Sequence, residues 1–137
     1  MVGSSRTKEY SKDNYYQWGI EWKEIHEVIG TISVVEMNED IDMVHIGYCI
    51  GKSWWHQGIV SEALSAIIAF FFEEVGCNRI ESRHDINNPY SGSVMKKCGM
   101  KYEGTKRSAD RNNQGLCDIS EYAILHDEYI KTKLKER

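Results

Sequence analysis

The sequence has little of what marks a fibrous, secreted or membrane-spanning protein. It contains one proline in 137 residues and no repeat or low-complexity segment, which excludes collagen-like and disordered chains. Its longest apolar stretch, residues 63–72, is far shorter than the roughly 20 residues that a membrane span needs. The polar N-terminus carries no signal-peptide core. The sequence therefore predicts a single soluble domain in the cytoplasm, with no membrane partner.

Basic charge and closely spaced metal ligands are lacking as well. The net charge of −4 provides no basic field, so we expect no nucleic-acid partner, and it weakly favours an amine-bearing substrate. The four cysteines lie far apart without a C-x-x-C pair, and the five histidines form no H-x-x-x-H pair. We therefore predict reduced, mostly buried thiols and no metal site.

What the sequence does contain is the periodicity of a mixed α/β (α+β) domain. Apolar residues that recur every three or four positions predict a helix from Gly58 to Gly76. Asn88 followed by proline predicts the start of a second helix. Alternation predicts strands over residues 15–22, 27–37, 43–51, 78–86, 100–109 and 117–125. This order gives a mostly antiparallel sheet with a central right-handed β-α-β crossover between parallel strands. The predicted divisions are a polar tail (1–14), one domain (15–130) and a charged tail (131–137).

The stretch GKSWWHQGIVSEAL, residues 51–64, allows two kinds of phosphate site. A P-loop needs G-x-x-x-x-G-K-[ST], but Gly47 and Gly51 give a motif one residue short, and the helical period starts only after Gly58. The second interpretation places an anion on the unpaired amide groups at the helix start, where Gly58 permits close approach. A G-x-G-x-x-G motif is absent, which argues against a dinucleotide site. A plain turn before the helix is the remaining alternative.

Two motifs resemble those of the GNAT superfamily of N-acetyltransferases, most closely the branch that acetylates N-terminal amines of ribosomal proteins. The pyrophosphate loop of that family, R/Q-x-x-G-x-G/A, aligns with Trp55, Gly58 and Val60. Its second motif, N-x-x-S-x-x-V-x-x-K-x-G-F/M, is matched by Asn88, Ser91, Val94, Lys97, Gly99 and Met100. The resemblance covers residues 15–129. It implies a GNAT-like fold and direct transfer of an acetyl group from acetyl-CoA to a primary amine in a ternary complex.

The resemblance also implies a set of donor-binding residues. The strand ending at Ile50 would splay from its parallel neighbour, and the backbone of Cys49 and Ile50 would bind the pantetheine arm. The amides from Gln57 to Ser61 would hold the pyrophosphate. The full predicted set is Cys49, Ile50, Trp55, Gln57, Gly58, Ile59, Val60, Ser61, Asn88, Ser91 and Lys97. Trp54 and Trp55 either stack on a ligand or cover the edge of the core.

Two residues are candidates for the chemistry. Ser91, near a helix start, would donate to the departing thiolate, with simple helix packing as the alternative. Many family members place a tyrosine where this chain has Met95, which cannot donate a proton. His45 stands where this branch often has a glutamate, and a neutral imidazole there would accept the amine proton; an ordinary strand histidine is the alternative. Glu81 and His84 are weaker candidates.

The family normally begins with a strand and two helices, which this chain replaces with polar residues before position 15. Those helices wall the acceptor pocket and the strand covers a sheet edge, so we expect an uncovered edge. A homodimer, a partner protein or a shortened chain would each explain it. The alternatives to a working transferase are an acyl-CoA-binding module with little or no catalysis and an unrelated α/β interaction domain.

Overall fold

The computed structural model describes residues 4–6, 17–22 and 27–135 of the chain. Seven strands form one sheet across these ranges. The strands are β1 (Ser4–Arg6), β2 (Gln17–Trp22), β3 (Glu27–Asn38), β4 (Met43–Ile50), β5 (Arg79–Asp85), β6 (Lys101–Asn112) and β7 (Gly115–Leu125). The helices are α1 (Ile59–Phe70), continued by a π-helical turn (Phe71–Val75), α2 (Pro89–Lys97) and α3 (His126–Lys135). No helix in the described part of the chain is long and apolar enough to cross a membrane.

The sheet confirms the predicted fold class. Its strand order is β1-β2-β3-β4-β5-β7-β6, and every neighbouring pair is antiparallel except β4 and β5. The chain passes from β4 through α1 to β5, which is the predicted crossover between parallel strands. The sheet is therefore mixed and mostly antiparallel, with its parallel pair at the centre.

The parallel strands β4 and β5 pair only at their beginnings. Their ladder contains three residue pairs, of which the last joins His45 to Glu81. Beyond it the Ser82 hydroxyl donates to the Ile46 carbonyl at 2.7 Å, so a side chain takes the place of a backbone partner. The predicted splay is confirmed, and a gap opens between the second halves of these two strands.

All three helices pack on one face of the sheet. The core joins strand residues to helix residues: Ile32, Val34, Ile46, Ile80, Tyr122 and Ile124 belong to the sheet, and Leu64, Ile68 and Met95 to the helices. The Cys98 thiol on the C-cap of α2 donates to the Ser61 carbonyl of α1, and the Tyr129 ring of α3 lies 5.1 Å from that of Phe72. Side chains alternate along a strand, so the residues between these core positions point to the opposite face. No helix from the described ranges covers that face.

The ends of the helices follow the predicted capping signals. The Asn88 side chain accepts from the Ser91 amide, and Pro89 is the first residue of α2. Gly76 adopts φ 84°, the left-handed conformation that favours glycine, and its amide donates to the Phe71 carbonyl at 2.9 Å. Only the π-helical form of the last turn was not predicted. Within this turn Glu73 accepts a hydrogen bond from the Tyr129 hydroxyl.

The structure places part of each predicted tail in a secondary-structure element. Ser4–Arg6 forms β1 and pairs with β2, because the edge of β2 supplies backbone partners that no periodicity in three polar residues could indicate. The C-terminal residues 131–135 belong to α3, whose first turn carries Asp127 and Glu128 and whose last turn carries lysines. These charges complement the helix dipole. The remaining tail residues, 1–3, 7–14, 136 and 137, lie outside the described residues.

The thiols are mostly buried, as predicted, with one exception. Cys77 and Cys117 are buried and Cys98 is partly buried, whereas Cys49 is exposed. Burial raises the pKa of the Cys77 and Cys98 thiols above the ordinary value, so they stay protonated and inert.

Candidate active site

The start of α1 lies directly after Gly58, at the end of the loop that follows β4. Gly58 precedes the helix with φ 76°, and its carbonyl accepts from the Glu62 amide at 3.1 Å and from the Ser61 hydroxyl at 3.1 Å. Ile59 and Val60 are fully buried and anchor this turn in the core. The first amide groups of a helix have no partner within it, and the dipole adds positive potential there. The turn is therefore rigid and electropositive.

A lysine from α2 adds a full charge to this helix start. A Cβ atom placed on Gly58 would have the Lys97 ammonium as its nearest neighbour, at 4.0 Å, and nothing closer among the described residues. The space beside the Gly58 Cα is thus open, and the nearby cation favours an anionic ligand there. Gly58 and Lys97, which the sequence assigned to one site from separate motifs, lie together.

Aromatic rings fasten the loop before α1 to the start of α2. The Trp55 ring stacks on that of Tyr90, with centroids 4.9 Å apart and planes 10° apart. Its indole N–H donates to the Ile50 carbonyl at 3.3 Å. The His56 ring meets Tyr90 edge-on, and the Gln57 amide side chain donates to the Ser53 carbonyl at 3.2 Å. The side chains of Trp55 and Gln57 therefore fix the loop, and the Trp55 amide donates to the Lys52 carbonyl at 3.2 Å within it.

The hydrogen bonds of β4 show which of its peptide groups face the gap. The carbonyls of Ile46 and Ile50 point toward the β5 side, where Ser82 and Trp55 donate to them. The Gly51 amide points the other way, to Ile29 on β3. Because peptide orientation alternates along a strand, the peptide groups of Tyr48 and the amide of Ile50 face the gap. Those of Cys49 face β3, and Tyr48 is the adjacent residue whose peptide groups face the gap.

Tyr48 also reaches across the gap to α2. Its hydroxyl donates to the Ser91 carbonyl at 2.8 Å. Burial raises the pKa of Tyr48 well above its ordinary value, so the phenol stays protonated. Ser91 is partly buried, and its amide donates to the Asn88 side chain at 3.5 Å. The sequence alone did not single out Tyr48. It could have been found because Tyr48 is two residues from both Ile46 and Ile50 on β4, so the peptide groups of all three point in the same direction.

Met95 cannot replace the tyrosine that many relatives have near this point. Its side chain is fully buried in the core beneath α2. Tyr90, the nearest hydroxyl along the chain, has its ring against Trp55 and His56. Among the predicted chemical groups of α2, Ser91 therefore remains the candidate donor.

His45 is held in a network of charged side chains on the helix-free face. Its Nδ1 lies 3.1 Å from a carboxylate oxygen of Glu81. The other Glu81 oxygen accepts from Arg79 at 2.8 Å, and Arg79 also donates to Glu103 at 2.6 and 3.1 Å. Burial alone would raise the pKa of Glu81, but the hydrogen bonds from Arg79 and His45 outweigh it and hold that pKa below its ordinary value. Glu36 lies on the neighbouring strand β3. One of its carboxylate oxygens is within 4.8 Å of a ring nitrogen of His45 and of a carboxylate oxygen of Glu81.

A cavity of about 310 Å³ begins beside His45 and extends to β6. His45, Gly47 and Tyr48 line it from β4, Arg83 and Asp85 from β5, and Asp110, Arg111 and Asn112 from β6. The Asn112 side chain donates to Asp85 at 2.6 Å and ties β6 to the end of β5. The cavity therefore has the gap between β4 and β5 at one side and the imidazole at another.

The comparison with protein families agrees with this geometry. The model of the acetyltransferase (GNAT) domain matches residues 3–101, which is more than half of the chain. The chain belongs to this family. Members of the family use acetyl-CoA as acetyl donor, and the residues present fit it: amides and a lysine for a diphosphate, and an open strand edge for the arm.

Two curated relatives are 30% and 31% identical to the chain over the aligned residues. The chain is 30% identical over 107 residues to an uncharacterized N-acetyltransferase, p20, of Bacillus licheniformis, covering 78% of the chain and 60% of the relative. It is 31% identical over 101 residues to the ribosomal-protein-serine acetyltransferase of Escherichia coli, covering 74% and 56%. The chain thus spans about 60% of the length of these relatives.

Solved structures share its fold. A probable acetyltransferase matches with a TM-score of 0.78 at 27% identity, covering 85% of the chain and 64% of that structure. The ribosomal-protein-S5-alanine acetyltransferase of Vibrio fischeri matches with a TM-score of 0.77 at 22% identity, covering 82% and 62%. The second match is a likeness of fold alone.

Proposed function

We propose that the chain transfers an acetyl group from acetyl-CoA to a primary amine, either a protein N-terminus or a small amine. The observation that carries the proposal is the opening between β4 and β5 next to a helix start that combines free amides with the Lys97 ammonium. A diphosphate and an extended amide-bearing arm are the chemical groups that such a pair of features would bind.

In this proposal each element holds one part of the donor. The amides of Gly58 to Ser61 and the Lys97 ammonium bind the diphosphate, while Tyr48 and Ile50 bind the arm as a neighbouring strand would. Asn88 caps α2 and thereby places Ser91 near the end of the arm. Holding donor and amine in contact supplies much of the rate enhancement of such a transfer.

The chemistry needs a proton acceptor for the amine and a donor for the thiolate. The amine nitrogen forms a bond to the thioester carbonyl carbon, the carbon–sulfur bond breaks, and the thiolate leaves. His45 accepts the proton from the amine, and the Ser91 hydroxyl donates a hydrogen bond to the departing sulfur. His45 lines the same cavity as Tyr48, which places it beside the gap.

The acceptor is a cationic or N-terminal amine in this proposal. Asp85 and Asp110 border the cavity that leads to His45 and would attract a protonated amine, although Arg83 and Arg111 lie beside them. One relative is named a ribosomal-protein-serine acetyltransferase, and the fold neighbours include a mutant form of spermidine N-acetyltransferase of Vibrio cholerae. Acetylation assays with ribosomal proteins and with a panel of polyamines would separate the two acceptor classes.

The experiment that tests donor binding is calorimetry with acetyl-CoA on a Gly58→Asp variant. We expect binding to be lost, because the carboxylate would occupy the anion site and a side chain at φ 76° is strained. Gly76→Asp is the matched control: it adds the same charge at φ 84°, with nothing within 4 Å of its Cβ and far from the gap. Equal affinities of the two variants for acetyl-CoA would contradict the proposal.

A second candidate is an acyl-CoA-binding module with little or no catalysis. The observation that favours it is the face of the sheet around His45, which no helix from the described residues covers. Stabilisation by acetyl-CoA without acetylation of any amine would support it. We also propose that the chain forms a homodimer, and sedimentation of the protein at several concentrations would test this.

A further inference from the structure

We propose that Glu81 is a positioning residue that fixes His45 as the proton acceptor of the transfer, with Arg79 holding Glu81 in place. The inference rests on the proposed function and assigns a role to a series of hydrogen-bonded charged side chains, which the sequence did not connect. The series runs from β6 through β5 to β4, in the order Glu103, Arg79, Glu81, His45.

The contact between Glu81 and His45 determines which imidazole nitrogen is free. An ionised carboxylate can only accept hydrogen bonds, so the Nδ1 atom that lies 3.1 Å from it must carry the hydrogen. In the neutral imidazole the Nε2 lone pair is then available for a proton. His45 is only 7% exposed, which restricts rotation of the ring away from this arrangement.

Glu81 itself is poorly suited to be the base. Both of its oxygens are engaged, one by His45 and one by Arg79, and Arg79 is in turn anchored by two hydrogen bonds to Glu103. The same hydrogen bonds lower the pKa of Glu81 despite its partial burial, so it holds a proton weakly. Its carboxylate therefore stabilises charge on a neighbour rather than accepting the proton itself.

Other charged groups also face the imidazole and their sum is close to neutral. Glu36 faces it from β3, and Arg83 from β5 lines the same small cavity. The larger cavity adds His84, Asp85, Asp110 and Arg111 from β5 and β6. This set holds three carboxylates and two guanidinium groups, a difference of one charge, and Glu81 is the charged group bonded directly to the imidazole.

The step that Glu81 supports can be written completely. An amine that arrives as an ammonium ion gives one proton to Nε2 of His45, and the imidazolium that forms is stabilised by the Glu81 carboxylate. The free amine then bonds to the thioester carbon and the carbon–sulfur bond breaks. The second amine proton neutralises the thiolate, and His45 releases its own proton through the cavity to solvent.

The tautomer of His45 can be measured without any assay of activity. Nuclear magnetic resonance spectra that correlate the ring protons with the ring nitrogens report which nitrogen carries hydrogen. They would be recorded on nitrogen-15-labelled protein, and a His45→Gln variant would identify the signals of His45. We expect the hydrogen on Nδ1 in the wild-type protein and a mixture of tautomers in Glu81→Gln. Hydrogen on Nε2 in the wild-type protein would overturn the inference.

The kinetic test compares Glu81→Gln with Glu121→Gln. Glu121, on the neighbouring strand β7, is paired with Lys106 at 3.3 Å and its side-chain exposure of 32% is close to the 24% of Glu81. We expect Glu81→Gln to lower kcat about 100-fold, the lower end of what a general base contributes. Its KM for acetyl-CoA should stay unchanged, and the acidic limb of its pH–rate profile should move to lower pH because the imidazolium loses its counter-charge. Glu121→Gln should retain wild-type values, and Glu81→Asp should recover part of the loss.

The outcomes separate the inference from the proposed function. Wild-type pH profiles and kcat in Glu81→Gln would overturn the role of Glu81 and leave the transferase proposal standing. A wild-type protein that neither binds acetyl-CoA nor acetylates an amine would overturn the proposed function. The tautomer measurement would in that case still decide whether Glu81 orients His45.

Discussion

The two faces of the sheet beside the gap between β4 and β5 present different kinds of chemical group. On the helix side, the surface around Gly58 consists mainly of backbone: amides at the start of α1 and peptide groups of Tyr48 and Ile50. On the opposite face, the surface around His45 consists of charged side chains from four strands. After the proposed reaction, we call the surface around Gly58 the donor side and the surface around His45 the acceptor side. Backbone groups suit a donor that is the same for every reaction, whereas side chains can be varied to suit one acceptor. Changes on one side should therefore leave the other intact.

Removing the imidazole would give the sharpest break between the two sides. We expect His45→Gln to lower kcat roughly 100- to 10,000-fold, the range of general-base contributions, and to leave the affinity for acetyl-CoA unchanged. Steady-state kinetics and calorimetry on the same preparation would measure both. A loss of acetyl-CoA affinity together with kcat would show that the two sides are not independent.

The complementary change removes the lysine on the donor side. Lys97→Ala should weaken acetyl-CoA binding roughly tenfold, or about 1.4 kcal/mol, and make binding less sensitive to salt. Lys96→Ala is the control, since Lys96 is the exposed neighbouring lysine on α2. Calorimetry at low and high salt would measure the difference, and equal effects of the two variants would remove Lys97 from the site.

Tyr48 belongs to both sides, so its hydroxyl tests how they are joined. Tyr48→Phe leaves the Ser91 carbonyl without this donor and should destabilise the protein by about 1 kcal/mol. This corresponds to a fall in Tm of about 4 °C. Tyr102→Phe removes a hydroxyl from a tyrosine that is 56% exposed and should change Tm little. A Tm for Tyr48→Phe equal to that of the wild type would mean that the bond across the gap contributes nothing.

The smallest expected effect concerns stability in acid. Hydrogen bonds hold the pKa of Glu81 in the folded protein below its ordinary value of 4.5. The ionised carboxylate therefore stabilises the fold above pH 4.5, and this contribution is lost as the pH falls through the lowered pKa. Urea unfolding should show that the difference between wild type and Glu81→Gln shrinks on acidification. A difference that is constant with pH would contradict this.

The donor side could be predicted from the sequence because its signals are local. Gly58 before an apolar period and Asn88 before Pro89 mark helix starts within a few residues, and the structure has both helix starts there. Because the first amides of a helix have no partner within it, the position of Gly58 indicated an anion site, with a plain turn as the alternative.

The acceptor side could not be predicted in the same way. The bond between His45 and Glu81 joins residues 36 positions apart and depends on the register of β4 with β5, which no local pattern specifies. The sequence named both residues as separate candidates for a base, and it did not connect either one to Arg79. The direction of the Cys49 peptide also depends on strand pairing rather than on residue type. The short strand β1 is likewise defined by its pairing with the edge of β2.

The brevity of the parallel ladder divides the sheet into two half-sheets that share one narrow seam. Strands β1 to β4 lie on one side of it and β5, β7 and β6 on the other. His45 and Glu81 form the last pair of the seam, and Ile50 lies at the far end of its strand. Because displacement about an axis grows with distance from it, rotation of one half-sheet moves Ile50 far more than His45. A rotation about this seam would therefore change the width available to a ligand and leave the paired imidazole and carboxylate in register.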